Sequence, residues 1–271
     1  MQFLHDPNFS HSFFLDVTRI DYQQDMPAQV INDYGYSYIM FRYGTIDAFD
    51  HNGAQVAVPE KFIKGTGDFF TVKAYKEATW ISIELPNHIL HSITKIHGVK
   101  NRNKLIDLSL YVDDDTLDSL YHKLATAMTI EDITIITDHH LRSYYKEWSV
   151  LYPSVEIVNH IFHKKGKVTV SELADRFPYS ERTLGRMFLK EVGAPPQRFA
   201  NLVRFNNAIR ALETQENESL QSILEKFDYY DQSHFEKDFK KFLGQNIKEY
   251  KNEFNPLLSN ALARKYVKLD L

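Results

Sequence analysis

Cysteine is absent from the 271 residues. That absence excludes disulfide frameworks, thiolate zinc sites, thiol nucleophiles and cysteine redox sensing together. Long apolar runs are missing too: none approaches the ~20 residues that a membrane-spanning helix needs. The opening MQFLHDPNFSHSFF lacks a basic segment followed by an apolar stretch. No signal peptide is therefore expected, and the cytoplasm is the expected location. The chain has no Gly-rich phosphate-cradling loop and no G-x-S-x-G nucleophile motif.

What is present is a globular composition. Hydrophobic residues make up 43% and charged residues 25%, which argues against long disorder. The 19 Phe and 16 Tyr can fill substantial cores. The length suits one large or two ordinary domains. Charge divides the chain: residues 1–152 carry 13 Lys/Arg against 20 Asp/Glu, whereas 153–255 carry 16 against 15. The tail 256–271 is slightly basic, with 3 against 1. Such a break suggests domains with different partners, and neither half announces nucleic acid by charge alone.

The first half reads as strands followed by helices. YGYSYIMFRYG (34–44), AQVAVP (54–59), DFFTVKAY (68–75) and TWISIELP (79–86) are rich in β-branched and aromatic residues between turn formers. TWISIEL alternates, with Trp80, Ser82 and Glu84 on one side and Ile81, Ile83 and Leu85 on the other. Several strands without intervening helices predict an antiparallel sheet or small barrel. Leu117, Leu120, Tyr121, Leu124 and Met128 then form a helical stripe behind the acidic run Asp113–Asp115, which can supply a cap. A second helix is expected from about Glu131 to Trp148. Its two apolar faces (Ile133, Ile136, Tyr144 and Trp148; Ile135 and Tyr145) leave dimer pairing and internal packing equally open. Pro153 marks the domain boundary.

The second half is expected to be all helical and contains a degenerate repeat. Leu173, Phe177 and Tyr179 match Ile223, Phe227 and Tyr229 at an offset of 50, and Leu184, Phe188, Lys190 and Gly193 match Phe235, Phe239, Lys241 and Gly244 at 51. The second copy is one residue longer in its turn. Core positions that match on both sides of a turn predict one helix–turn–helix unit built twice. Ser180 and Asp231 start the second helix of each copy, and Pro195 and Pro196 open a long helix between the copies. An apolar back with Arg, Lys, Gln or Ser at an exposed helix start fits a major groove. Two such helices on one linker suit successive groove faces, about 34 Å apart.

These residues resemble the DNA-binding domain of AraC/XylS-type transcription regulators over positions 155–253. The likeness is carried by Ser171-Glu172-Leu173-Ala174, then Ser180, Leu184, Arg186, Phe188, Lys190, Glu191 and Gly193, then Arg204, Ala208 and Leu212. It continues through Asp231-Gln232-Ser233, Phe235, Phe239, Lys240-Lys241, Gly244, Tyr250 and Lys251. The resemblance implies an α+β protein: an antiparallel β half (1–152, a cupin-like barrel or sandwich with helices), a double helix–turn–helix domain (153–255) and a tail (256–271). It implies base reading by Arg182, Gly185 and Arg186 in the first unit and by Gln232, Ser233, His234, Glu236 and Lys237 in the second. Phosphate contacts would come from Ser180, Thr183, Lys190, Arg204, Lys240 and Lys241. Partners implied are double-stranded promoter DNA, RNA polymerase, a small-molecule effector and a second copy of the chain, with no cofactor and no membrane.

There are departures from the family pattern. Pro178 and Asp228 stand where each turn usually has Gly, so the first turn is expected to be remodelled. Gly185 offers no side chain for reading, Ile247 replaces a usual Pro, and Lys251 a usual Arg. The segment ISIELPNHILHSITKIHGV resembles part of the cupin-like sensor halves of such proteins, which implies effector sensing or dimerisation.

The competing chemistry is a metal-dependent cupin-like enzyme, since nine of the twelve His lie in 1–152. No H-x-H pair occurs, and the acidic run lacks the spacing of a calcium loop. No catalytic or metal-ligating residue is therefore named. Tyr34, Tyr36, Tyr38, Phe41, Tyr43 and Trp80 are candidates to line a pocket in the β half, with ordinary core as the alternative.

Overall fold

The computed structural model describes residues 1–214, 219–252 and 255–259. The first half contains strands β1 (Gln2–His5), β2 (Asp16–Asp21), β3 (Gln29–Ile31), β4 (Ser37–Tyr43) and β5 (Ile46–Phe49). They are followed by β6 (Gln55–Val56), β7 (Lys61–Lys64), β8 (Phe70–Ala74), β9 (Thr79–Leu85) and β10 (Ile106–Asp107). The strands form two antiparallel sheets, one in the order β1-β2-β9-β4-β7-β10 and the other β3-β8-β5-β6. Four of the strands lie inside the stretches that composition marks. β2 (DVTRID) and β7 (KFIK) lie outside them, because their inward positions carry polar and charged side chains as well as apolar ones.

The six-stranded sheet is buried on both faces. One face packs on helices α1 (Ile89–Thr94), α3 (Asp114–Thr126) and α4 (Ile130–Trp148), with the short α2 (Gly98–Asn101) between. Ile81, Ile83 and Leu85 of β9 join Leu117, Leu120, Leu124, Ile133, Leu141 and Trp148 there. Trp80, Ser82 and Glu84 face the other way, so the alternation in TWISIEL separates two environments.

Asp113 caps α3 by accepting from the Thr116 amide at 2.8 Å, and Thr129 with Asp132 forms a capping box at the start of α4. The new cap at Thr129 ends the α3 stripe early. Met128 lies beyond α3 and is 73% exposed, rather than on the buried stripe. Of the two α4 faces, Ile133 and Trp148 are buried with Ile136 and Tyr144 packed beside them, and Tyr145 stacks on Phe13, while Ile135 points out.

The second half comprises α5 (Ser154–His163), α6 (Val170–Arg176), α7 (Glu181–Glu191), α8 (Pro196–Thr214), α9 (Leu220–Lys226), α10 (Gln232–Leu243) and α11 (Ile247–Asn252). The loops between α6 and α7 and between α9 and α10 differ by one residue, as the repeat offset requires. Gly193 and Gly244, matched in the repeat, both take left-handed backbone (φ 86° and 71°) where α7 and α10 end. The two turns are built differently. Asp228 adopts φ 55°, supplying the left-handed residue that Gly often supplies. In the first turn none of residues 177–179 is left-handed; Phe177 is extended, and the Tyr179 amide donates to the Phe177 carbonyl across Pro178.

The tail does not simply trail away where it is described. Residues 256–259 are helical, and Leu257 and Leu258 are buried. Asn255 ties this turn to the β half by donating to the Val30 carbonyl at 2.8 Å.

Candidate functional site

Each recognition-type helix has an apolar back and a polar front. In α7, Leu184, Met187, Phe188 and Glu191 are buried, while Arg182, Arg186 and Lys190 recur every four residues on the exposed face. Ser180 caps the helix by accepting from the Thr183 amide at 3.3 Å, and its hydroxyl also meets the Thr183 hydroxyl at 3.0 Å. Gly185 lies beside the arginines with open space where a side chain would stand.

In α10, Phe235, Asp238, Phe239, Phe242 and Leu243 are buried. Gln232, Ser233, Glu236, Lys237 and Lys240 are exposed. Asp231 caps this helix by accepting from the His234 amide at 2.7 Å. His234 is half-buried against Tyr229, and Gln232 donates to Glu236 at 2.8 Å. Glu236 is thus held beside the residue best suited to adenine.

Arg204 does not join this front. Its side chain is 14% exposed, lies over the Tyr229 ring at 4.5 Å and reaches Asp238 at 3.6 Å. The tight packing of α8 against α10 turns it inward, so it braces the second unit instead of presenting itself to phosphate. Lys241 packs on Phe242, and burial lowers its pKa. Asp238 opposes that shift, while the nearby Arg198, Arg204 and Arg102 add to it.

The two halves share one apolar core, which runs from Tyr36 and Tyr38 through Phe162 and Phe199 to Phe235. Gly35 sits against the rings of Phe162 and Phe199, and Tyr36 stacks on Phe162 at 4.9 Å. A Cβ on Gly98 of α2 would lie 2.6 Å from the Gly193 amide nitrogen at the end of α7, so this backbone approach requires glycine.

Two polar contacts cross the same seam. Asn206 of α8, fully buried, accepts from Asn32 at 2.5 Å and donates to the Asp33 carbonyl at 3.0 Å. Asp68 receives Arg102 at 2.6 Å, Asn103 at 2.6 Å and Arg198 of α8. Burial pushes the Asp68 carboxyl up, but the hydrogen bonds and the two arginine charges outweigh it and hold the pKa below its usual value. Asn32, Asp68, Arg198 and Asn206 are all missing from the sequence-based candidates. Their partners lie up to 174 residues apart, so no local pattern marks them.

Between the two sheets lies a cavity of about 110 Å³. Asp16, Thr18, Tyr38, Lys64, Trp80 and Glu84 are among its lining residues, with Asn32 at the seam and Leu105 and Leu257 also on its wall. Of the aromatic candidates, Tyr34, Tyr38 and Trp80 line it. Phe41 points into the core on the helix side, Tyr43 stacks on Tyr121 and Tyr36 joins the seam.

Among the described residues no group of three or more His, Asp or Glu is placed to hold a metal. His88 and His91 are buried rather than exposed; burial lowers His88 to about 4, and His91 Nδ1 lies 2.8 Å from the Ile96 carbonyl. Among the described residues no helix is long and apolar enough to cross a membrane.

Comparison with known proteins bears on this arrangement. A family model described as a helix-turn-helix domain matches residues 173–253. The HTH-type transcriptional activator RhaS of Pectobacterium carotovorum subsp. carotovorum (strain PC1) is 33% identical over 87 residues, 32% of this chain and 31% of that protein. The match thus spans about a third of the relative's length. The apo form of a lysine-to-alanine variant of ToxT from Vibrio cholerae strain SCE256 shares the fold, with a TM-score of 0.51 at 12% identity over 89% of this chain and 97% of that one. Unsaturated fatty acid bound wild-type ToxT from the same strain gives a TM-score of 0.48 at 13% identity, covering 90% and 96%. The likeness to the apo variant extends through the β half, so the common arrangement is not confined to the helical domain. Residues 173–253 are a helix-turn-helix domain of the AraC/XylS type, carried behind an antiparallel β domain.

Proposed function

We propose that this chain is a sequence-specific DNA-binding transcription regulator that reads promoter DNA with α7 and α10. The observation that carries this reading is the doubled unit itself. Two capped helices, each with a buried aromatic back, expose Arg182 and Arg186 in one copy and Gln232 and Lys237 in the other. Packing explains a duplicated core, but it gives no reason to duplicate a polar helix start. Arg186 and Arg182 suit guanine, Gln232 suits adenine, and Lys190 and Lys240 suit phosphate. Ser233 and His234 border the second front, and Glu236 suits cytosine N4. Ser180 and Thr183 add hydroxyls at the start of α7. RhaS is by name a transcriptional activator, which favours this reading over a metal-dependent enzyme.

The β half is the proposed sensor, with the cavity as the effector site. Its route to DNA is short. Asn32 lines the cavity and bonds Asn206 on α8, the helix that joins the two reading units. Activation is the direction that the relative's name supports, and RNA polymerase is the partner that it would require.

The test is salt-dependent binding to DNA from around the protein's own gene, against a scrambled duplex of equal length. Affinity for the specific duplex should fall steeply with salt. Arg186→Ala or Lys237→Ala should weaken specific binding about 10- to 100-fold, the range for losing a base or charged contact. Unchanged affinity in both variants would remove the groove assignment.

A further inference from the structure

The cavity carries a charge pattern that specifies a ligand class. Asp16 of β2 pairs with Glu84 of β9, Glu84 with Tyr38 of β4, and Tyr38 with Lys64 of β7. One row across four strands therefore reads carboxylate, carboxylate, phenol, ammonium, and all four side chains line the cavity. The next row is Thr18, Ser82, Met40 and Phe62, and beyond it come Ile20 and Trp80. Val72 and Phe70 face them from the second sheet. The cavity is thus ionic at one end and apolar along the rest.

This row is a poor choice for folding alone. Like charges directly opposite each other on paired strands are destabilising, and a buried lysine loses hydration, which for Lys64 the Gly65 carbonyl at 3.3 Å replaces in part. The Lys64 ammonium lies over the rings of Phe70 at 5.6 Å and Tyr38 at 5.9 Å. Burial lowers its pKa, against the opposing pull of Asp33 and Asp68. Asp16 Oδ1 is engaged by His5 at 3.3 Å and accepts from the Val17 amide at 2.9 Å. Glu84 and Lys64 stand two strands apart, roughly 10 Å between Cα positions. Side chains reaching inward over that span can bracket an ammonium–carboxylate pair with hydrogen bonds of about 2.8 Å at each end.

We propose that the cavity binds a small zwitterion: an α-amino acid with an apolar side chain, its ammonium on Glu84 and its carboxylate on Lys64. Asp16 adds negative potential on the ammonium side. The side chain lies between Met40, Phe62, Trp80 and Val72. This deepens the effector reading above and rests on it. Size and charge both separate this ligand from a long-chain fatty acid. A cavity of about 150 Å³ takes one benzene ring, and this one is smaller, at about 110 Å³, so the side chain is a short aliphatic one and neither an aromatic ring nor a long acyl chain fits. A ligand with only a carboxylate would meet two carboxylates in the same row as its one cation.

The test is calorimetric titration of the full chain without DNA. The ligands are L-alanine and L-valine, set against isovalerate, isobutylamine and oleate. At least one amino acid should bind saturably and about tenfold or more tighter than either one-charge analogue, the scale of one charged hydrogen bond. Glu84→Gln should weaken the amino acid and isobutylamine and leave isovalerate unchanged. Lys64→Met should weaken the amino acid and isovalerate. Unfolding curves of both variants check the fold, and the comparison of ligands on the native chain needs no variant. Three results would each overturn the proposal: no saturable binding of either amino acid, a one-charge ligand or oleate binding as tightly, or insensitivity to Glu84→Gln. DNA affinity is measured separately, so failure here with specific DNA binding intact removes only the ligand class, and loss of both removes the regulator reading.

Discussion

Asn206→Leu tests whether the seam between the halves is held as described. The substitution keeps the branching at Cγ and the number of side-chain heavy atoms, so it opens little cavity. It removes the acceptor for Asn32 Nδ2 (2.5 Å) and the donor to the Asp33 carbonyl (3.0 Å). Asn32 is 3% exposed and Asp33 1%, so water does not readily replace either bond. Each buried polar group left unmet costs about 1–3 kcal/mol, which makes the expected loss about 2–5 kcal/mol. For a chain of this size that lowers the thermal midpoint by roughly 4–15 °C. Urea and thermal unfolding, followed by circular dichroism and tryptophan fluorescence, measure it. Trp80 and Trp148 both lie in the β half, so fluorescence follows that half while the far-ultraviolet signal is dominated by helices. The double variant with Asn32→Leu should cost less than the sum of the two single losses, because both remove the same Asn32–Asn206 hydrogen bond, while Asn32→Leu by itself also strands the Asp33 amide that donates to Asn32 Oδ1 at 2.8 Å. A loss below about 0.5 kcal/mol, the level of an ordinary surface substitution, would refute the reasoning: the two halves would then not be joined through this pair in solution.

Two further outcomes follow from the structure. Asp68 has a folded-state pKa below its unfolded value, so its contribution is present above the unfolded pKa of about 4 and is lost as pH falls through the folded value. Stability measured from pH 6 down to pH 3 should drop more in the native chain than in Asp68→Asn, and parallel curves would exclude the Asp68–Arg198 link. Gly185→Ala should raise stability by about 0.5–1 kcal/mol, the helix preference for Ala over Gly. Apart from the backbone of α7 itself and the two adjoining residues, no atom lies within 4 Å of the added Cβ, so a lower thermal midpoint would show that this face of α7 is covered.

The helical half was legible because its signals are local. Caps at Ser180 and Asp231, the four-residue spacing of Leu184 with Phe188, and the paired Gly193 and Gly244 are short-range patterns that survive in an isolated sequence. The extra turn residue in the second copy was readable from the repeat offset alone. Even the substitution of Pro178 for a turn glycine announced a different turn, since proline cannot take left-handed backbone. Arg204 shows the limit of matching by position. The family resemblance implied phosphate for its position in the linking helix, but Tyr229 and Asp238 packed beneath it decide where its side chain goes.

In the β half the sequence by itself determined the class and the alternation of β9, along with the helices α3 and α4 behind the sheet. Periodicity carries that information because side chains two residues apart share a strand face and those three or four apart share a helix face. Tertiary structure alone decided the rest. Strand pairing brings Asp16, Glu84, Tyr38 and Lys64 into one row. In sequence they are isolated polar residues, and two of them sit in strands that composition did not mark. The seam arises the same way, from Asn32 and Asp68 meeting α8 across most of the chain. Charge and hydrogen bonding act over a few ångströms of space, so such sites exist only once the register of the sheets and the docking of α8 have set those distances.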